Sequence, residues 1–231
     1  MTLNAPEHKN ILLQILKDIF SDTSISPFLG LKGGTAAYMF YDLPRFSVDL
    51  DFDLLDETKE EYIFSRVEQI VKNYGKIKEA RKKRFNLFFL LSYKEKAQNI
   101  KVEINRRLFG SRYELKTYLG ISMLVMKKED MFAHKLMAMY ERIGRTNRDI
   151  YDVWFFLKNN WPINKKIVED RSGMSFRELL KKCVVALEKM KDRKILDGMG
   201  EILDEKQKKW VRTNLKKDVL FLLKLKLESE K

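Results

Sequence analysis

The stretch Lys32-Gly33-Gly34-Thr35-Ala36, followed by Arg45-Phe46-Ser47-Val48-Asp49-Leu50-Asp51-Phe52-Asp53, decides the reading of this chain. Two glycines make a tight turn into a short helix, and beyond it lies a strand with an acid at every second position. Side chains of a strand alternate between its faces. Phe46, Val48, Leu50 and Phe52 therefore point one way, and Ser47, Asp49, Asp51 and Asp53 point together the other way. Carboxylates packed this closely repel one another unless a cation or a proton lies between them. A row of acids beside a phosphate-friendly turn suggests a divalent metal and a nucleoside triphosphate; a solvated strand face is the competing reading.

Each piece has its own chemistry. Nucleotidyl transfer requires an attacking hydroxyl to be activated and a pyrophosphate leaving group to be neutralised, and carboxylate-bound divalent ions do both. Asp49 and Asp51 put two sets of oxygens within reach of a shared metal. Glu103, on the polar face of a second strand, supplies a third carboxylate if the two strands are neighbours. Hard oxygen ligands without convergent histidines favour Mg²⁺ or Mn²⁺ over zinc. Asp53 shares the face but lies near the strand end, and is set aside as a bystander. Gly33 and Gly34 let the backbone approach a phosphate, the following helix N-terminus offers N–H groups and a positive dipole end, and the Thr35 hydroxyl adds a donor.

Outward from this stretch, periodicity predicts a first helix over about Glu7 to Phe20 with Ile11, Ile15 and Ile19 on one stripe, and a loop from Asp22 to Pro27. The short helix after the glycines runs from Thr35 to Tyr41, and the acidic strand starts near Phe46. A helix follows from about Lys59 to Tyr74. Two strands come next: Asn86 to Tyr93, apolar enough to be buried on both faces, and Asn99 to Asn105, with Lys101, Glu103 and Asn105 sharing one face. After Lys127 only helices are expected: Lys128 to Ile143, Arg148 to Leu157, Ser175 to Met190 with a Ser175/Glu178 capping box, and Asp204 to Glu228.

The 231 residues carry 46 Lys and Arg against 33 Asp and Glu, a formal charge of +13. Such an excess attracts polyanions at long range. The basic residues cluster, at Lys72, Lys76, Lys78, Arg81, Lys82, Lys83 and Arg84 and again at Lys208, Lys209, Arg212, Lys216 and Lys217, which favours a polyanionic partner over a dispersed solubility charge. One cysteine, Cys183, cannot form an internal disulfide, and with no secretory leader in view a cytoplasmic location is expected. No apolar run approaches the ~18 residues a membrane span needs.

Gly33-Gly34-Thr35 followed by Arg45-x-Ser47-x-Asp49-Leu50-Asp51 resembles the nucleotidyltransferase superfamily with the DNA polymerase β-like fold. Within it, Leu31 to Ala36 together with Arg45 to Phe52 resembles the AbiEii/AbiGii toxin family. The second half is similar to the same family's Lys-Leu-x-Ala, Arg and Arg-Asp-x-x-Asp blocks, here Lys135-Leu136-Met137-Ala138, Arg142 and Arg148-Asp149-Ile150-Tyr151-Asp152. The likeness spans about residues 28 to 158. It implies an α+β nucleotidyltransferase fold, a small mixed sheet flanked by helices, followed by a helical C-terminal region. The corresponding domains are 1–125, an α/β nucleotidyltransferase domain, and 126–231, a helical domain completing the nucleotide site.

By the same resemblance Asp49 and Asp51 are the metal pair, Lys32, Gly33, Gly34 and Thr35 bind nucleotide, Lys135 and Arg142 reach the phosphates, and Asp152 is the acid of the last motif. Glu103 stands where an aspartate is the commoner third ligand. Family members act as toxins of bacterial abortive-infection or toxin–antitoxin pairs, and some modify tRNA 3′ ends. The expected reaction moves an NMP from an NTP to an RNA hydroxyl, with a cognate antitoxin as protein partner. Transfer to a protein or small molecule, or nucleotide or RNA binding without catalysis, are the alternatives. From the residues alone, Lys135, Ala138 and Arg142 share one helix face, and Asp152 is also placed to hold Lys135 or Arg142. His134 and Cys183 read as packing residues.

Overall fold

The computed structural model describes residues 3–230, so positions 1, 2 and 231 of the expected domains lie outside the described residues. The chain divides into two compact units between Met126 and Lys127. Among the described residues the first unit holds a mixed seven-stranded sheet, ordered β3-β4-β5-β2-β1-β7-β6. The strands are β1 (Leu29–Lys32), β2 (Leu50–Leu54), β3 (Lys76–Lys82), β4 (Asn86–Ser92), β5 (Ile100–Asn105), β6 (Tyr113–Tyr118) and β7 (Ile121–Met126). Three helices accompany them: α1 (Ala5–Ser21), α2 (Gly33–Phe40) and α3 (Glu60–Lys72). β1 runs antiparallel to β2 and parallel to β7, and β2 runs parallel to β5, which makes the centre of the sheet mixed.

Register aligns the core. Leu31, Phe52, Ile104 and Leu87 lie side by side across four strands, and Leu50, Val102 and Phe89 form the next row, all fully buried. Phe20 of α1 packs 6.0 Å from Phe52, and Phe64 of α3 packs 4.9 Å from Phe89. Burying a side chain of this size stabilises by about 1.5–3 kcal/mol. The helices thus cover one face of the sheet, and the acids stand on the other.

Several expectations need correction. β4 is not buried on both faces: Leu87, Phe89 and Leu91 are buried, while Asn86, Phe88, Leu90 and Ser92 between them are half-exposed. Its second face carries the apolar side chains of Phe88 and Leu90, which stay partly exposed. In α1 the buried stripe is His8, Leu12, Ile15, Leu16, Ile19 and Phe20, so Ile11 stands at its margin. α2 begins at Gly33 itself, because φ +77° at Gly33 turns the chain out of β1 directly into the helix. β1, β3, β6 and β7 are absent from the sequence reading. β1 has four residues, β3 is strongly basic, β6 alternates polar and apolar only weakly and β7 is a nearly continuous apolar run, so none carries a clear alternating period.

The second unit is helical: α4 (Lys128–Arg142), α5 (Arg148–Lys158), α6 (Lys165–Ser172), α7 (Phe176–Lys189), α8 (Glu205–Trp210) and α9 (Lys216–Glu228). α6 is the helix the pattern did not foretell; Asn164 caps its start and left-handed Gly173 ends it. Ser175 caps α7 by accepting from the Glu178 backbone N–H, but the reciprocal box is found at Asp204 and Gln207. The expected last helix is interrupted by a π-turn at Val211–Leu215, where Thr213 and Asn214 donate to carbonyls one turn back. Its core joins Phe156, Leu179, Leu187, Leu215 and Val219. Cys183 is fully buried there, and burial pushes its thiol up to about 12, so it packs as a small hydrophobe. Among the described residues no helix is long and apolar enough to cross a membrane.

Gly30 of β1 tests the sheet. A Cβ at this position would overlap the ring of Tyr113, which lies across the strand. Gly30→Ala should lower stability by about 1–3 kcal/mol, read as a shifted urea midpoint in far-UV circular dichroism. An unchanged midpoint would show that the ring is free to move aside.

Candidate active site

The polar face of β2 and β5 brings three of the candidate acids together. Asp51 stands opposite Glu103 in the parallel ladder, and opposite Lys32 on the other side. Asp49 precedes the ladder by one residue. Between the acids lies a group the sequence reading placed on this face without a role, the ammonium of Lys101. Its Nζ is 3.1 Å from Glu103 Oε2 and 3.5 Å from Asp49 Oδ2. Burial works against charge on Lys101, but the fields of Asp51, Asp49 and Glu103 outweigh it and hold the pKa above the ordinary lysine value. The other Glu103 oxygen accepts from the Asn86 side-chain amide on β4.

The acidic strand begins at Leu50 rather than near Phe46, so residues 46–49 lie outside the ladder and side chains bond three of their carbonyls. Arg45 Nη1 donates to Phe46 O at 2.9 Å, His8 Nε2 bonds Val48 O at 2.9 Å, and the Thr35 hydroxyl donates to Asp49 O. Because a carbonyl can only accept, Nε2 of His8 carries the proton, and Nδ1, 3.1 Å from the Tyr93 hydroxyl, accepts. Burial lowers the His8 pKa, with the Val48 bond and the Asp49 field offsetting it only in part. Thr35 is thus engaged with the backbone of the first acid. The glycines are fitted around the same acids. A Cβ on Gly33 would stand 2.5 Å from Asp51 Oδ2, and one on Gly34 would stand 2.8 Å from both Arg45 Nη2 and Ser47 Oγ. The Asp51 carboxylate therefore lies against the first residue of α2, where the helix dipole favours an anion.

Asp53 is buried and fully engaged. Lys32 Nζ reaches its Oδ1 at 2.5 Å, Asn105 Nδ2 donates to the same oxygen at 2.8 Å, and the Tyr113 hydroxyl donates to Oδ2. A carboxylate with this many donors holds strands together, and Lys32, a nucleotide-binding candidate, is one of the donors.

Lys135, Arg142 and Asp152 come together in the second unit, around Asp149. Lys135 Nζ lies 3.1 Å from Asp149 Oδ1 and 2.7 Å from Asp152 Oδ2. Arg142 Nη2 approaches Asp149 Oδ2 to 2.7 Å. That oxygen accepts no aligned hydrogen bond, so the contact is one of charge rather than direction. Both aspartates are fully buried and Lys135 is 9% exposed. His134 Nδ1 sits 2.8 Å from Arg171 Nη1.

The donor set on the sheet fits a hard divalent cation: its ligands are carboxylates, and a cation, the Lys101 ammonium, already stands among them. As the side chains lie, no three His, Cys, Asp or Glu among the described residues are close enough to hold a metal ion. Among the residues the sequence reading did not select, Arg45 was inside the quoted motif, whereas His8, Asn86 and Tyr113 gave no local signal.

Two substitutions separate these roles. With its folded pKa lowered, neutral His8 stabilises above its ordinary value near 6.5, and this is lost as pH falls through the folded value. His8→Ala should cost about 1–3 kcal/mol at pH 7.5 and flatten the fall in stability as pH drops below the ordinary histidine value of 6.5. Lys135→Met removes the cation shared by two buried aspartates and should cost about 3–5 kcal/mol. All three tryptophans, Trp154, Trp161 and Trp210, are in the second unit, so fluorescence-detected unfolding reads this change directly.

Comparison with known proteins agrees with this architecture. The chain aligns over 98% of its length with the crystal structure of JHP933 from Helicobacter pylori, at 22% identity and TM-score 0.60, covering 94% of that chain. A candidate nucleotidyltransferase from H. pylori aligns with TM-score 0.61 at 21% identity, over 98% of this chain and 97% of that one. An antigenic nucleotidyltransferase-like protein from Paracoccidioides brasiliensis aligns over 82% of this chain and 91% of that one, at 15% identity and TM-score 0.54. At these identities the likeness is one of fold. Among curated proteins none matches. The family model described as nucleotidyl transferase AbiEii toxin, type IV toxin–antitoxin system, matches residues 14–213. With an acid-bearing mixed sheet, a glycine turn into α2 and this match over most of its length, the chain belongs to the AbiEii nucleotidyl transferase toxin family.

Proposed function

We propose that the protein transfers an NMP from an NTP to an RNA hydroxyl, the 3′ end of tRNA being the favoured acceptor, and that it acts as the toxin of a toxin–antitoxin pair. The observation that carries the reading is the in-register pairing of Asp51 with Glu103, with Asp49 beside them and Gly33 fitted against Asp51, in a chain of this family. Asp49, Asp51 and Glu103 are the residues that would hold Mg²⁺ or Mn²⁺. Bound there, such an ion would supply positive charge for the triphosphate and activate the attacking oxygen.

The remaining roles belong to the chain. The backbone at Gly33 and Gly34 and the positive end of α2 bind phosphate oxygens. The acceptor oxygen bonds to the α-phosphorus, the bond from that phosphorus to its bridging oxygen breaks, pyrophosphate leaves, and the hydroxyl proton passes to Glu103. Lys101 keeps the acids from repelling one another when nothing else neutralises them. For Lys135 and Arg142 the proposal is phosphate neutralisation drawn from the resemblance, and each would have to loosen its hold on the buried aspartates to do so. The +13 charge supports a polyanionic acceptor, and the type IV family description supports an antitoxin partner.

The test is transfer of label from each NTP in turn, with Mg²⁺ and total tRNA. Wild type should label RNA, and Asp49→Ala and Asp51→Ala should each reduce labelling at least ~100-fold. Equal labelling by Asp49→Ala would end the reading, as would label found only on protein or a small molecule. Induced expression should arrest growth, and Asp51→Ala should relieve the arrest.

A further inference from the structure

The acid-bearing face of the sheet does not end at Glu103. The next residue across the ladder is Phe88 of β4, and Lys83 Nζ lies 3.2 Å from the centroid of its ring. Just beyond Asn86, the residue that holds Glu103, the β3–β4 turn raises Phe85 to the surface at 43% exposure. Two guanidiniums flank the ring, Arg84 at 4.9 Å and Arg107 at 4.6 Å from its centroid. Arg107 also lies 5.6 Å from the ring of Phe109. Phe109 in turn lines a 220 Å³ pocket beside Asp53 and Tyr113.

The turn is anchored. Arg106 N donates to Phe85 O at 2.8 Å, Arg106 Nη1 donates to Lys83 O at 3.2 Å, and Arg106 Nη2 pairs with Glu60 at 2.7 Å. Phe85 is therefore presented on a fixed backbone in the turn that precedes β4, three residues from Phe88, the partner of Glu103. An exposed ring bracketed by arginines suits one class of ligand best. A base stacks on an aromatic or guanidinium plane, while the cations take the neighbouring phosphates. Duplex RNA buries its base faces, so the ligand must be unpaired.

We infer that Phe85, with Arg84 and Arg107, is a stacking platform for an unpaired base of the acceptor RNA, guiding a single-stranded end toward the acids. This rests on the proposed RNA acceptor and names how that acceptor is held. Base stacking on an aromatic ring is worth roughly 5- to 150-fold in affinity.

Fluorescence polarisation with a labelled single-stranded RNA of about 12 nucleotides, in about 0.1 M salt, tests the platform on the full chain. Phe85→Ala should weaken binding roughly 10-fold with an unchanged melting temperature, Phe85→Tyr should restore it, and Phe85→Leu should not. Arg107→Ala should weaken binding and lower its salt dependence. In the transfer assay Phe85→Ala should raise KM for RNA and leave KM for NTP unaltered. Binding by Phe85→Ala within twofold of wild type overturns the platform. If RNA labelling still depends on Asp51, the proposed function survives that result. If wild type labels no RNA at all, the function reading falls and the platform falls with it.

Discussion

Three carboxylates crowd one face of the sheet, and the structure is organised around keeping them there. Asp51 and Glu103 face each other across β2 and β5, and Asp49 follows one step away, so like charges stand close together. Lys101 resolves this by placing its ammonium among them, with Asn86 fixing the far oxygen of Glu103. Under the proposed reaction, a divalent cation bound by these acids would share space with that ammonium or displace it.

The need to keep Asp49 in position explains the side chains around it. Residues 46–49 have no ladder partner, so their carbonyls rely on Arg45, His8 and Thr35. A buried histidine in the first helix becomes part of the support of a site forty residues away. The glycines serve the same end by absence, since a methyl group at Gly33 would meet the Asp51 carboxylate. Conformation and space both demand glycine there, with φ at +77°.

The second unit solves a similar charge problem differently. Asp149 and Asp152 are buried completely, and Lys135 and Arg142 neutralise them. Removing one member of such a network weakens the neutralisation of a charge held in a dry environment. Surface basic residues are also partly self-neutralised: Arg81 and Lys83 share Glu79, Lys208 pairs with Glu205, and Lys216 with Asp192. The formal charge therefore overstates what a polyanion meets at those places, and the cations layered on Phe85 gain weight as a contact.

Period and spacing in the chain itself determined the helices α1, α3, α4, α5 and α7, the strands β2, β4 and β5, and the common face of Asp49 and Asp51. These are local properties, because alternation along a strand and 3.6-residue spacing along a helix follow from backbone geometry alone. The glycine turn and the acid pair also carried the family likeness. Only the tertiary structure decided that β2 and β5 are neighbours, which makes Glu103 the partner of Asp51. It alone decided that Lys101 lies between the acids, that Tyr113 crosses Gly30 to reach Asp53, and that Lys135 is held by Asp149 and Asp152. Each of these depends on strand order or helix packing between residues distant in the chain. Short or basic strands such as β1 and β3 take their form from the neighbours they pair with, so their existence, too, was settled only by the assembled sheet.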